Sequence, residues 1–535
     1  MEHRYRTVKD GLDLSYLVLT PDDVGQNEKL PLVVSLHGVG TYGDDPEVLA
    51  EGVAYKAYYK FKPRAILMIP HSRFEPWSTQ IHTLKAVIDE VADRFHADMT
   101  RISLIGASMG GYGTWEMLCS FPSFFSCGVV ICGGGMAFRA PSVTHLPIRL
   151  YHGDKDTTVL PARAEEMLAA VRHADPEADI RLTVCENVAH DSWNRAYLED
   201  NILAWMIEQQ RRTFDVYAGG PVKGSGIYHY RLTDGKMTLC EKTEDEGVMY
   251  MKIKNGKLYA LLNEPCGNRE GGVCRYDLRE SRLVARSPIF PTFGKAACHL
   301  DVDDDEAVYC VNYLSGNVIK IDMARGATSI IRHTGDGPNK PRQDKTHTHQ
   351  ALLTPDGLYF TVCDLGTDTI HVYDKSLREV SRVQADAGSG PRHIAFSDDG
   401  TLAYCVNELS NTVTVYGYHD GVLTKKASYD MLPFGYDGLT TAAAIRVCGG
   451  FVYASTRGHD SITRFAIDGD KLRFVDNTPC GGTRPRDFAI SPDGKTLVCA
   501  NEGGTLTVFT IAADGSLKQT PQTFEVPGAL AVLIV

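Results

Sequence analysis

The residues best suited to chemistry in the first part of the chain are Ser108, His190 and Asp156. Ser108 is the centre of GASMG at residues 106–110, where flanking glycines permit a sharp turn that lifts a serine hydroxyl clear of its surroundings. A serine hydroxyl is a weak nucleophile until a base takes its proton, and the base needs a carboxylate to orient it. His190, in VAHDSW, supplies an imidazole, and Asp156, in HGDKDTTV, supplies a carboxylate. Asp154 competes with Asp156 for that role, and Asp191 is a weaker rival because it adjoins the histidine. The chain order serine, acid, histidine fits a nucleophile carried on a strand-to-helix turn. Negative charge developing on an acyl oxygen then calls for two backbone N–H donors. Met109 offers one, and Gly38 or Val39, in the turn His37-Gly38-Val39-Gly40, offers the other. Together these groups are equipped for acyl transfer through a seryl ester.

A second set of polar residues lies far along the chain. Its imidazoles are His299 in CHLDV, His347 and His349 in KTHTHQ, and His393 in GPRHIAF. Its guanidiniums are Arg392, Arg457 in STRGHD and Arg486 in RPRDF, and its carboxylates are Glu408 in VNEL and Asp364 in VCDLGTD. Each is expected beside an innermost strand of a repeat, converging on a central channel. Such a mixture at one mouth makes a site for an anion or a carbonyl, with Arg486, His299, His347 and His393 on the binding side.

Positioning these groups takes two kinds of architecture. Up to residue 212, continuous apolar runs such as Leu32–Leu36, Ala65–Ile69, Arg101–Ile105 and Ile148–Tyr151 read as buried parallel strands. They alternate with helical patterns at 79–95, 111–119, 162–173 and 193–212. That alternation predicts a three-layer α/β/α domain over 1–212. From 213 onward a repeat takes over. Triplets such as VYA, LYA, VYC and AYC recur at Tyr217, Tyr259, Tyr309, Tyr359, Tyr404, Tyr453 and Val498, at intervals of 42 to 50 residues. A second motif follows each: GIYHYRL, GVCRYDL, NVIKIDM, TIHVYDK, TVTVYGY, SITRFAI and TLTVFTI. Short strands with glycine turns at this period predict propeller blades, and seven copies predict seven four-stranded blades over 213–535. The last segment should share a blade with residues near Val216.

LHGVGTYGDD, GASMGGYGTW, YHGDKDTTV and AHDSW together resemble the compact α/β-hydrolases of the carboxylesterase and prolyl-oligopeptidase-like kind, close to polyhydroxybutyrate depolymerases and feruloyl esterases. THTHQALLTPDG, GPRHIAFSDDG, CVNEL, TRGHDSI and RPRDFAISPDG resemble the seven-bladed lactonase family, typified by propeller-type 6-phosphogluconolactonase and fungal carboxymuconate lactonising enzyme. The second resemblance implies that His349, Arg392, Glu408 and Arg457 carry the chemistry. Glu408 would act as general base toward water, with Arg392 and Arg457 polarising the lactone carbonyl or holding a carboxylate. It also implies no metal and no cofactor.

Composition narrows the function classes. The 535 residues are 43% hydrophobic and 23% charged, with net charge −12 and no long basic run, which argues against a nucleic-acid partner. No apolar stretch approaches membrane-span length, and the 14 cysteines are scattered singly, as expected of thiols in a reducing cytoplasm. The reading is a cytoplasmic bifunctional hydrolase, a serine carboxylesterase fused to a metal-independent lactonase-type propeller, acting on a small ester or lactone. The alternative is a single-site serine esterase or peptidase whose propeller only binds or gates the substrate.

Overall fold

The computed structural model describes residues 1–9, 12–25, 28–222, 224–245, 247–265, 270–279 and 281–535. Two compact units emerge. The first comprises Met1–Phe214 with Arg279–Ser281, and the second Asp215–Leu278 with Arg282–Val535.

The first unit is built on eight strands: β1 (Glu2–Lys9), β2 (Leu12–Leu19), β3 (Leu32–Leu36), β4 (Ile66–His71), β5 (Ile102–Ala107), β6 (Cys127–Ile131), β7 (Ile148–Gly153) and β8 (Ile180–Cys185). They form one mixed sheet in the order β1-β2-β4-β3-β5-β6-β7-β8. β4 through β8 run parallel, while β1 and β2 form an antiparallel hairpin on the β4 edge. Its helices are α1 (Val53–Phe61), α2 (Ile81–Arg94), α3 (Met109–Ser120), α4 (Ala162–Ala174) and α5 (Ile202–Glu208). Successive side chains of a strand point to opposite faces, so the apolar runs feed two cores. Leu32, Val34 and Leu36 pack with residues of α2, α3 and α4. Val33 packs with residues of α1 and α5 on the other face.

The helix expected over 193–212 is a correction. A π-helical turn at Arg195–Glu199 is separated from α5 by Asn201 in the left-handed region, φ 46°. α5 ends at Glu208, where Gln209 turns extended. Arg211 is drawn away from a helical path, because its N–H donates to Thr100 O and its guanidinium to Ser123 O.

The second unit is a seven-bladed β-propeller. The seven innermost strands are Val248–Lys254, Ala297–Val302, Thr348–Leu353, Pro391–Phe396, Thr441–Cys448, Pro485–Ile490 and Ala531–Ile534. Each neighbours the next in a closed cycle. Closure comes from the last strand, where Ala531 to Ile534 pair antiparallel with Gly219 to Val216. Ring closure completes the last blade and leaves each blade only short edge strands, one toward the channel and one at the rim. Six blades have four strands. The expectation of four throughout fails in the blade opening at Val248, where Phe290–Lys295 adds a fifth strand beside Glu270–Arg279. No helix of the described residues is long and apolar enough to cross a membrane.

Candidate functional site

Ser108 stands between β5 and α3 with φ 56° and ψ −116°, a conformation that L-residues rarely adopt. Two glycines make this turn possible. A Cβ on Gly106 would lie 2.2 Å from Gly110 O, and one on Gly110 would lie 2.2 Å from Leu36 O. The turn therefore presses against the end of β3, and only hydrogen fits there.

His190 Nε2 lies 2.9 Å from Ser108 Oγ, and His190 Nδ1 lies 2.7 Å from Asp156 Oδ2. Asp156 is buried in the loop after β7, where its other oxygen accepts from Thr158 N and Val159 N. Burial opposes its ionisation, but His190 and those two amides outweigh it and hold the carboxyl below the usual aspartate range. Asp154 instead contacts Lys155, and Asp191 contacts Asn194. Neither reaches the imidazole of His190.

The opposing turn is tied down from two sides. Burial holds His37 neutral, lowering it to about 4. Its Nδ1–H donates to Gly38 O at 2.8 Å, and its Nε2 accepts from Ser72 N at 3.0 Å. Trp77 Nε1 donates to His37 O. Gly38 passes so close that a Cβ there would be 3.4 Å from Ser108 Cβ. Fixing the carbonyls of His37 and Gly38 also fixes the N–H groups of Gly38 and Val39, since each peptide unit is planar. Met109 begins α3, where the first N–H groups of a helix have no intrahelical acceptor. Ser108, Met109 and Val39 line a cavity of about 550 Å³.

The propeller has its own cavity, about 510 Å³, with His349, Glu408, Arg457 and Arg486 in its wall. Arg342, Arg484 and Tyr313 line it as well, and the sequence reading missed them. Arg342 comes from an irregular loop with no periodic pattern to mark it, and Arg484 lies two residues from the Arg486 that was singled out. Glu408 is the hub. One carboxylate oxygen accepts from Arg342 Nη2, and the other lies 2.9 Å from Arg392 Nε, 3.1 Å from Arg457 Nη2 and 4.0 Å from His349 Nε2. Burial alone would raise its pKa, yet Arg457, Arg392, His349 and Arg342 together hold it well below the usual glutamate range. A second carboxylate, Glu502, accepts from Arg484 and Arg486.

Five residues depart from the expected arrangement. Arg392 is fully buried and does not line the cavity; it donates to Glu408 and to Ala443 O, so it acts behind the carboxylate. His393 and His299 also lie outside the lining. Their inner strands converge at the propeller axis, where the rings of His349, His393, His299 and Tyr250 follow one another at 5.2, 5.3 and 4.0 Å. His347 stacks on Tyr313, and both its nitrogens are engaged, by Tyr313 O and Asp344. Asp364 is a structural staple that accepts from Thr346, His347 N, Gly366 N and His333.

Two groups of metal-ligand type gather among the described residues: Cys132, Asp156 and His190, and His333, Asp364 and His371. Both are already tied internally. His190 bridges Asp156 and Ser108, and His333 bridges Asp364 and Tyr373 Oη.

A family model described as Lactonase, 7-bladed beta-propeller, matches residues 215–534. An uncharacterised protein of Lactococcus lactis is 33% identical over 341 residues, covering 59% of this chain and 98% of the relative. A Staphylococcus epidermidis protein is 32% identical over 320 residues, covering 56% and 92%. Among solved structures, the periplasmic gluconolactonase of Pseudomonas aeruginosa aligns with a TM-score of 0.55 at 26% identity, covering 60% of this chain and 99% of that one. A Lactobacillus plantarum protein aligns with a TM-score of 0.56 at 28% identity, covering 60% and 99%.

Proposed function

The chain belongs to the seven-bladed β-propeller lactonase family through residues 215–534, and on that footing we propose a bifunctional hydrolase with a serine esterase centre at Ser108 and a lactone-opening centre at Glu408. The first unit is read as an α/β-hydrolase domain. The observation that carries the esterase reading is the unbroken series Asp156, His190, Ser108 at 2.7 and 2.9 Å. His190 takes the Ser108 proton as Oγ attacks an ester carbonyl, then gives it to the departing alkoxide. The N–H groups of Met109 and of Gly38 or Val39 face the oxyanion. Water, deprotonated by the same imidazole, releases the acid and restores the serine.

In the propeller, Glu408 is a weak base, because three guanidiniums stabilise its charge. His349 is the remaining proton acceptor: burial and Arg392 lower its basicity too and keep the ring neutral, so it can take a proton only with the Glu408 carboxylate beside it to balance the charge. Its Nε2 takes a proton from water as the water oxygen adds to the lactone carbonyl, and Glu408, 4.0 Å away, steadies the imidazolium. That proton passes to the ring oxygen as the acyl–oxygen bond breaks. Arg457 and Arg342 face the cavity and are suited to polarising a lactone carbonyl or holding an attached carboxylate. The substrate class is a small ester or lactone. Gluconolactonase activity in a relative supports the second centre. A second reading, in which the propeller binds an anion without turning it over, draws on the same saturation of Glu408 by arginine. Screening the intact chain against aryl esters and δ- and γ-lactones tests the proposal; ester turnover without any lactone turnover favours the binding module.

A further inference from the structure

A second imidazole faces the acid of the Ser108 centre. His152 is the penultimate residue of β7 and is 1% exposed. Its Nε2 lies 2.8 Å from Val159 O and 3.3 Å from Asp156 Oδ2. A carbonyl oxygen only accepts, so this nitrogen carries the hydrogen and donates to Val159 O. Asp156 Oδ2 is also the oxygen that meets His190 Nδ1 at 2.7 Å. Two rings therefore share one carboxylate oxygen, while the other oxygen accepts from Thr158 N at 2.8 Å and Val159 N at 3.0 Å.

Val159 links the two arrangements. Its N–H orients the carboxylate, and its carbonyl is held by His152. The planar peptide units on either side of Val159 Cα are thereby fixed, one by Asp156 and one by His152. The same strand end also meets the loop that carries the base. A Cβ on Gly153 would lie 2.1 Å from Ala189 O and 2.3 Å from Val188 O, and Lys155 N donates to Val188 O at 2.9 Å. The end of β7 thus registers the acid loop against the segment that delivers His190.

Packing alone does not account for an imidazole here. His152 Nδ1 is buried and has no hydrogen-bond partner among the described residues. An apolar ring would fill the same space without that orphaned nitrogen, so what histidine adds at this position is the donor at Nε2.

We propose that His152 is a positioning residue for ester cleavage: by holding Val159 O and Asp156 Oδ2 it fixes the carboxylate that aims His190 at Ser108. This inference rests on the esterase reading of Ser108. His152 works through Asp156 and its loop, so its loss falls on kcat and leaves KM in place.

The test measures p-nitrophenyl acetate hydrolysis by the full chain as His152→Gln, His152→Asn, Asp156→Asn and the double variant His152→Asn with Asp156→Asn. Glutamine places an amide N–H as many bonds from Cβ as Nε2 is, whereas that of asparagine falls one bond short. His152→Asn should lower kcat about 10²-fold with KM changed by less than about twofold, the size of loss that follows from misplacing a catalytic group by about 1 Å. His152→Gln should recover kcat to within about tenfold of the unmodified chain. In the Asp156→Asn background no carboxylate remains to be positioned, so His152→Asn should cause no further loss. Equal kcat in the glutamine and asparagine variants, a loss carried by KM, or losses that multiply in the double variant, as misfolding would produce, overturns this inference and leaves the esterase reading standing. Absence of ester turnover in the unmodified chain overturns the esterase reading and this inference with it.

Discussion

Asp156 Oδ2 sits 2.7 Å from His190 Nδ1, which leaves the other ring nitrogen, Nε2, directed at Ser108 Oγ. The carboxylate thereby selects the imidazole tautomer that accepts at Nε2. Asp156→Asn keeps the shape but lets the ring take the wrong tautomer. Ester kcat should fall about 10⁴-fold in that variant, with the fold intact by circular dichroism. A loss below tenfold would move the acid role elsewhere, with Asp154 the next candidate in the same loop.

Glu408 couples the propeller's stability to pH. Its folded pKa lies well below the glutamate value, with burial opposed and outweighed by Arg457, Arg392, His349 and Arg342. A group depressed on folding contributes stability above its unfolded pKa, about 4.3, and loses it as pH falls toward the folded value. The propeller should therefore be at full strength on this account at neutral pH and weaken progressively below about pH 4. Glu408→Gln removes the buried negative charge and leaves buried guanidiniums uncompensated. It should lower stability at pH 7 by roughly 3–5 kcal/mol and flatten the acid limb. Denaturant unfolding of both proteins between pH 3 and pH 7 measures the difference.

Ring closure rests on few residues. Ala531 to Ile534 pair with Gly219 to Val216, and Val532 N also donates to Asp487 Oδ2 at 3.3 Å. Deleting residues 531–535 opens the cycle and exposes strand edges to neighbouring chains. The truncated protein should aggregate at concentrations where the full chain stays monodisperse by light scattering. Equal solubility and an unchanged melting temperature would show that closure is dispensable.

Legibility in the sequence tracked how strongly burial constrained each segment. The two repeated motifs are the second and third strands of each blade, as at Tyr309 in Ala307–Asn312 and in Asn317–Asp322. Both faces of those strands are packed, so their apolar runs stand out. The outermost strands, such as Ala327–Arg332, are exposed and carry little pattern. The hairpin of β1 and β2 was missed because EHRYRTVK does not read as a buried strand. Polar residues of the inner strands were recognisable as a group, but their directions were not. His349 faces the cavity, whereas His299 and His393 fill the axis, a difference set by ring geometry. Arg342 could not be found by pattern, because it meets Glu408 only through the fold, 66 residues away in sequence.

The central claim is two separate centres, and crossed single variants test it. Ser108→Ala removes the nucleophile, and His349→Gln removes the proposed base while keeping a polar side chain of similar size. The measurement is hydrolysis of p-nitrophenyl acetate and of a δ-lactone by both variants and the unmodified chain. Ser108→Ala should lose ester turnover by about 10⁴-fold or more and retain lactone turnover, and His349→Gln should do the reverse. Loss of both activities in Ser108→Ala, or lactone turnover untouched in His349→Gln, would contradict the account.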